Sequence, residues 1–208
     1  MAPAAAKSII DAAMSARAGN LARIVLPFLP KDGNVLDVGS GTGHNAAALR
    51  QSRPDLGFRE CDIVDMHVVG GGADLIVDGR LPYDNSTFAA VTLFFMLQYP
   101  EDPLPLLREA RRVMADGGHV IAAQTVCRGR VGRCALKLHE QVWGPVAYSV
   151  ARTFRAVPDV SMACLTPRRW FSESEIKALF EAGGLEVRDT VRMTSSAAMY
   201  VDTVYLLQ

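Results

Sequence analysis

The first residues in this chain able to do chemistry are carboxylates set beside glycines. Residues 37–43 read Asp37-Val38-Gly39-Ser40-Gly41-Thr42-Gly43, a G-x-G-x-G turn with an acidic residue two positions before its first glycine. Glycines reach φ values that other residues avoid and let a loop backbone approach a ligand with no Cβ in the way. Asp37 sits in the apolar run Val35-Leu36-Asp37-Val38. A cap, turn or surface-charge role does not suit it there, because an unpaired buried carboxylate is costly. Two further carboxylates follow apolar runs: Asp62 in Glu60-Cys61-Asp62-Ile63 and Asp78 in Asp78-Gly79-Arg80-Leu81-Pro82-Tyr83. The dinucleotide pattern G-x-G-x-x-G is not met, since its sixth position is His44. A P-loop is excluded because no Gly-Lys-Ser/Thr follows.

The elements that must position these groups are legible in outline. Residues 4–29 are Ala-rich, with apolar positions three to four apart, and predict two short helices broken near Gly19-Asn20. Strands are predicted over 35–38, 57–63, 73–78, 88–97 and 119–125. Helices are predicted over 45–51 and 102–114, the second stopped by Asp116-Gly117-Gly118. Ser172 followed by Glu175 is a capping-box signature that opens a helix through Glu181. Residues 185–193 and 199–207 then read as two strands whose short link suits an antiparallel pair. Alternating strands and helices predict a mostly parallel sheet covered on both faces.

Four of these segments together resemble the class I S-adenosylmethionine-dependent methyltransferases, in the small-molecule branch that includes the ubiquinone-biosynthesis enzymes. They are the acidic glycine turn, Asp62 ending the second strand, the Asp78 to Tyr83 segment, and Arg112-Val113-Met114-Ala115-Asp116-Gly117-Gly118 before the fifth strand. The resemblance spans about 35–121. It implies an α/β, Rossmann-like, doubly wound, mostly parallel seven-stranded sheet with a C-terminal antiparallel strand pair. The chain then reads as one domain, 1–208, made of N-terminal helices (1–30), a cofactor-binding core (31–126), an acceptor-side insert (127–171) and a final helix and strand pair (172–208). The implied cofactor is S-adenosylmethionine, with S-adenosylhomocysteine as product.

The resemblance also implies roles. Asp37 compensates the methionine ammonium directly or through water, while Gly39, Ser40, Gly41 and Gly43 approach the aminoacyl arm. Asp62 accepts both ribose hydroxyls, although Asp65 is close enough to serve instead. Ile63 lies against the adenine, Asp78 accepts from its amino group beside Gly79, and Phe94 completes the set. The chain departs from the family in three places. Only 63–72 separates Asp62 from the third strand, so the helix usual there is expected to be very short or absent. The fourth strand reads Phe88-Ala89-Ala90-Val91, without the family's aspartate. Leu97-Gln98-Tyr99 stands where histidines are common.

A sulfonium methyl is already activated, so the main task is to hold a nucleophile in line with it. A base is needed only for an acceptor protonated at neutral pH. Tyr99 and His139 are the candidates, whereas His44, His67 and His119 are not singled out by their positions. The acceptor pocket is expected from Gln98, Tyr99, Trp143, Arg168 and Arg169. Between Cys127 and Trp170 eight cations (Arg128, Arg130, Arg133, Lys137, Arg152, Arg155, Arg168, Arg169) face only Glu140 and Asp159, interleaved with aromatics. That pattern reads either as a lid for a small hydrophobic or anionic acceptor or as a solvated basic surface.

Composition sets the outer bounds. The 208 residues suffice for one core, half of them are hydrophobic, and 22 Lys plus Arg balance 22 Asp plus Glu. The neutral balance gives no field to draw the chain onto nucleic acid, and none is expected as a partner. The four cysteines form no C-x-x-C pair, no metal site is read from them, and reduced thiols are expected. No run approaches the roughly 20 apolar residues of a membrane span. A cytoplasmic protein is expected, with peripheral lipid contact open and the oligomeric state unread. Rival readings are an RNA or protein methyltransferase, which salt-dependent RNA binding would support, and a non-catalytic S-adenosylmethionine binder, which single-turnover methyl transfer would remove. A dinucleotide oxidoreductase is disfavoured by His44 and by the Asp78-Leu81-Pro82 segment.

Overall fold

The computed structural model describes residues 3–153, 157–193 and 199–208. Its strands are β1 (Asn34–Val38), β2 (Gly57–Asp62), β3 (Asp74–Leu75), β4 (Phe88–Phe94), β5 (Met114–Cys127), β6 (Phe171–Ser172), β7 (Val187–Arg192) and β8 (Tyr200–Leu207). They form one sheet in the order β3-β2-β1-β4-β5-β8-β7, and the two-residue β6 pairs with the end of β5 beyond β4. β1 to β5 are parallel, while β8 runs antiparallel to both β5 and β7. This is the doubly wound sheet with an antiparallel C-terminal pair that the sequence predicts. The link 194–198 lies outside the described residues.

The alternation of side chains across the pleat builds two cores. Leu36, Val38, Val91 and Leu93 point to the face covered by α3 (Leu104–Val113) and α6 (Glu173–Ala182), where they meet Leu107, Ala110, Ile176 and Phe180. Val35, Ala90, Phe94 and Ile121 point to the opposite face, under α1 (Pro3–Val25) and α2 (His44–Ser52), where they meet Leu21, Val25 and Leu49. The capping box is present: Ser172 accepts from the Glu175 amide, and the Glu175 carboxylate accepts from the Ser172 amide at 2.7 Å.

Four local expectations need correction. The N-terminal segment is one helix, α1, followed by a single 3₁₀ turn at Leu26–Phe28, and it is not broken at Gly19-Asn20. A helical glycine costs about 1 kcal/mol, whereas fully burying one aliphatic side chain gains roughly 1.5–3 kcal/mol. Leu21 and Val25, just past the glycine, are both buried. The strand expected over 73–78 shrinks to the two residues of β3, because β2 ends at Asp62 and offers no further partner; the chain then turns back through a Val77 to Arg80 bridge. β5 starts at Met114, ahead of the glycines expected to precede it. The insert, whose residues 135–143 alone read as helix-like, carries one long helix, α4 (Gly129–Thr153), which runs through Pro145, and a short α5 (Met162–Leu165). As expected, 63–73 contains no helix.

Candidate active site

The strand order reverses between β1 and β4, and the crevice outside the carboxyl ends of strands at such a point is where open α/β sheets bind ligands. A cavity of about 670 Å³ lies there, walled by the turns after β1, β2 and β4, by one face of α1, and by the region around α5. The volume falls within the range of small-molecule sites.

The glycine turn is stitched to the end of β2. The amides of Gly39 and Ser40 both donate to the Cys61 carbonyl, at 2.8 and 3.2 Å, and the Gly41 amide donates to Asp62 Oδ2 at 2.8 Å. Gly41 has φ +56 with open space where a Cβ would be, so the backbone faces the cavity bare. Gly39, Ser40, Gly41, Asp62, Ile63, Gly79 and Phe94 all line the cavity. Gly43, at φ +83, does not line it. Gly43 begins α2 instead, and a Cβ there would collide with the Val69 carbonyl.

The four carboxylates singled out in the sequence differ in their surroundings. Asp37 is buried beneath the turn rather than on the cavity wall. Its Oδ1 accepts from Thr92 Oγ1 at 2.6 Å, and Oδ2 has no partner. Burial raises its pKa to about 7 against the Thr92 hydrogen bond, helped by the nearby carboxylates Glu60 and Asp62. Asp62 is on the wall, and both its oxygens accept from backbone, Oδ2 from Gly41 and Oδ1 from Ile63 at 2.7 Å. Burial raises its pKa, opposed by those amides. Asp65 is turned away: its Oδ1 binds the His67 amide and ring at 3.1 and 3.0 Å, and it does not line the cavity. Asp78 is exposed, at φ +52, and leaves only Gly79 on the wall.

The short second connection closes over the glycine turn by a polar latch that sequence reasoning missed. The Val68 and Val69 amides donate to the Thr42 carbonyl. His67 bridges Asp65 through Nδ1 and the buried Glu60 through Nε2 at 2.7 Å, and Glu60 also pairs with Arg50 of α2 at 2.7 Å. Burial alone would lower the His67 pKa, but its two carboxylate partners leave it raised. Glu60 next to Cys61-Asp62 in a strand was the available signal, a buried-register acid needing a cation.

The rest of the cavity wall comes from α1, the loop after β4 and the insert. Met14, Arg17, Ala18 and Leu21 of α1 line it, and the Arg17 guanidinium lies 4.8 Å from the centroid of the Phe95 ring. Met96, Tyr99, Leu165 and Arg168 line it as well. Burial, with Glu140 nearby, raises the Tyr99 pKa, so its phenol stays protonated at neutral pH. Gln98 is buried behind the wall. Its side chain accepts from Gln124 at 2.8 Å, and its carbonyl accepts from the Arg168 and Arg169 amides, tying the insert to the loop after β4.

Of the expected arginine pair only Arg168 reaches the cavity, 3.8 Å from Glu101; the Arg169 guanidinium clamps the Glu101 carbonyl outside it. His139 is exposed on α4 beside Tyr200 and away from the cavity, and the Trp143 side chain lies outside the described ones. Phe154 and Arg155 also lie outside the described residues. The imidazole that does line the cavity is His44, whose Nδ1 pairs with Thr42 Oγ1 at 2.9 Å while Nε2 is buried without a partner. Burial lowers its pKa, although Asp11 on α1 acts the other way, so the ring is neutral at pH 7.

A family model described as a methyltransferase domain matches residues 13–190 of the chain. A ubiquinone/menaquinone biosynthesis C-methyltransferase from Desulfotalea psychrophila is 31% identical over 105 residues, which are 46% of this chain and 43% of that protein; the match therefore spans less than half of this curated relative. Among solved structures, a SAM-dependent methyltransferase from Aquifex aeolicus is similar with a TM-score of 0.60 at 16% identity, covering 100% of this chain and 98% of that one. The calicheamicin-biosynthesis methyltransferase CalO1, in its SAH-bound form, is similar with a TM-score of 0.60 at 20% identity, over 94% of this chain and 54% of that one.

Proposed function

This chain belongs to the methyltransferase domain family, and on that premise we propose that it transfers the methyl group of S-adenosylmethionine to a small, mainly apolar acceptor bearing an anionic or phenolic group. The observation that carries the reading is that one cavity is lined both by the bare glycine turn and Asp62 and by the apolar face of α1, with Arg17 and Arg168. The polar end fits the cofactor. Asp37 Oδ2 and Ser40 Oγ are buried without partners at the turn, and Asp62 keeps free lone pairs beyond its two backbone bonds. These are acceptor atoms for an ammonium and a ribose diol. Ile63 and Phe94 supply apolar wall for a base.

When bound, the cofactor supplies a methyl group already activated by its sulfonium. The protein's part is then orientation and exclusion of water. The α1 residues Met14, Ala18 and Leu21 cover the cavity, and Arg17, set against Phe95, offers its guanidinium to an acceptor anion. Where the acceptor is protonated, neutral His44 is the imidazole on the cavity wall, its ring held by Thr42 through Nδ1. The names of the Desulfotalea relative and of CalO1 both refer to small-molecule biosynthesis, which supports an acceptor of that kind.

A methyl-transfer screen across quinols, phenols, aromatic carboxylic acids and amines tests this. Turnover is expected with a phenol, quinol or carboxylate. Arg17→Ala should raise the acceptor KM with S-adenosylhomocysteine affinity nearly unchanged, and His44→Gln should lower kcat for protonated acceptors. Turnover of amines alone, indifferent to Arg17, would contradict the acceptor class.

A further inference from the structure

α4 is amphipathic with its apolar side turned outward. Val131 and Leu138 are 72% and 65% exposed, and Val142, Val146 and Val150 are each nearly half exposed. From Leu138 onward they recur every fourth residue, and Val131 stands two turns earlier, so all five share one face. That face runs roughly 28 Å at 1.5 Å per residue. The helix packs on the body through other positions: Leu136 is buried, and Glu140 accepts from Trp170 Nε1 at 2.6 Å. Met199, also exposed, adjoins the start of the helix, where its carbonyl accepts from the Arg128 amide.

Cations flank the stripe. Arg128, Arg130 and Lys137 are exposed at its N-terminal half, Lys137 with its ammonium 5.6 Å from the Trp170 ring centroid. Arg133 pairs with Glu175 and Arg152 with Asp159, both on the surface. The acids on the same stretch of chain are Glu140, which is half-buried, and Asp159.

We infer that α4 is an interfacial helix that docks the protein on an anionic lipid surface, its valine and leucine stripe entering the acyl boundary and Arg128, Arg130 and Lys137 meeting the headgroups. Size and charge select this occupant. The five side chains expose on the order of 400 Å², about half of the ~800 Å² per partner that a stable protein interface buries. A second copy docked with its helix parallel would set the same cations against each other. An apolar stripe with a basic flank, on a helix too polar to span a bilayer, has the form of a helix lying in the membrane plane. The same insert also supplies Cys164, Leu165 and Arg168 to the cavity wall.

Co-sedimentation of the full chain with phosphatidylcholine vesicles, with and without phosphatidylglycerol, tests the inference. Binding to the anionic vesicles is expected, weakening with salt, with little on phosphatidylcholine alone. The double variant Leu138→Asp, Val142→Asp should lose it at least tenfold, and Arg130→Glu with Lys137→Glu should do the same while leaving the stripe intact. Far-UV circular dichroism and S-adenosylhomocysteine affinity of both variants should match the wild type, since the altered side chains are exposed and away from the cavity. No partition to anionic vesicles, or partition unaffected by both variants, would overturn it. A concentration-dependent dimer that Leu138→Asp, Val142→Asp dissociates, with no vesicle binding, would assign the face to a second copy instead.

Discussion

At the scale of single residues, Asp37 shows how a site can work against its own fold. Its pKa of about 7 lies above the ordinary 3.8, so the folded protein holds a proton that the unfolded chain has released between about pH 4 and 7. Stability from this group therefore declines as the pH rises through that window. Asp37→Asn carries no charge at any pH. It should raise Tm relative to the wild type at pH 8 and much less at pH 5, while weakening S-adenosylhomocysteine at both, which paired melting curves and titrations would measure. The same Tm difference at the two pH values would mean that the carboxylate is already compensated in the free protein. The burial of Asp37 was legible because it lies inside an apolar strand, where the cost of a buried carboxylate calls for a ligand or partner to offset it. Arg17 was not: its place over Phe95 depends on how α1 crosses the ends of the strands, which no local spacing reveals.

At the scale of elements, the shortened connection after β2 takes its order from polar partners, where a family helix would use packing. His67, held between Glu60 and Asp65, has a raised pKa, so its stabilisation is complete below about pH 6.5 and is lost as the pH rises through the folded value. His67→Gln should therefore lower Tm more at pH 6 than at pH 9. An equal loss at both would reduce the latch to neutral hydrogen bonding. The strand, turn and helix periodicities placed β1, β2, β4 and α6 closely because each carries its own signal, a buried run or a capping box. They misjudged α1, where burial of Leu21 and Val25 overrides Gly19, and β3, where pairing is limited by the neighbour rather than by propensity. The extent of α4 was equally unreadable, since Gly144-Pro145 is a local stop signal that the helix runs through.

At the scale of the whole molecule, the cavity exists because three separate parts converge: the carboxyl ends of β1, β2 and β4, the N-terminal helix, and the insert after β5. The glycine-turn half was legible in part: Gly39, Ser40, Gly41, Asp62, Ile63, Gly79 and Phe94 line the cavity and most lie in short motifs at strand ends, whereas Asp37, Gly43 and Asp78 stand off its wall. The acceptor half was not, and of the expected residues Tyr99 and Arg168 reach the cavity while Gln98, Arg169 and His139 do not. A ligand held by all three parts should stabilise the entire chain by mass action, so S-adenosylhomocysteine at a hundredfold over its Kd should add about 2.7 kcal/mol to the unfolding free energy. The most direct test of the account is calorimetric titration of S-adenosylhomocysteine and NADH into the wild type and Asp62→Ala. One S-adenosylhomocysteine per chain is expected, with no NADH binding and a loss on the order of 1.5–3 kcal/mol in the variant, roughly ten- to a hundredfold in Kd, as the ribose loses its acceptor. Preference for NADH, or S-adenosylhomocysteine affinity indifferent to Asp62, would contradict it.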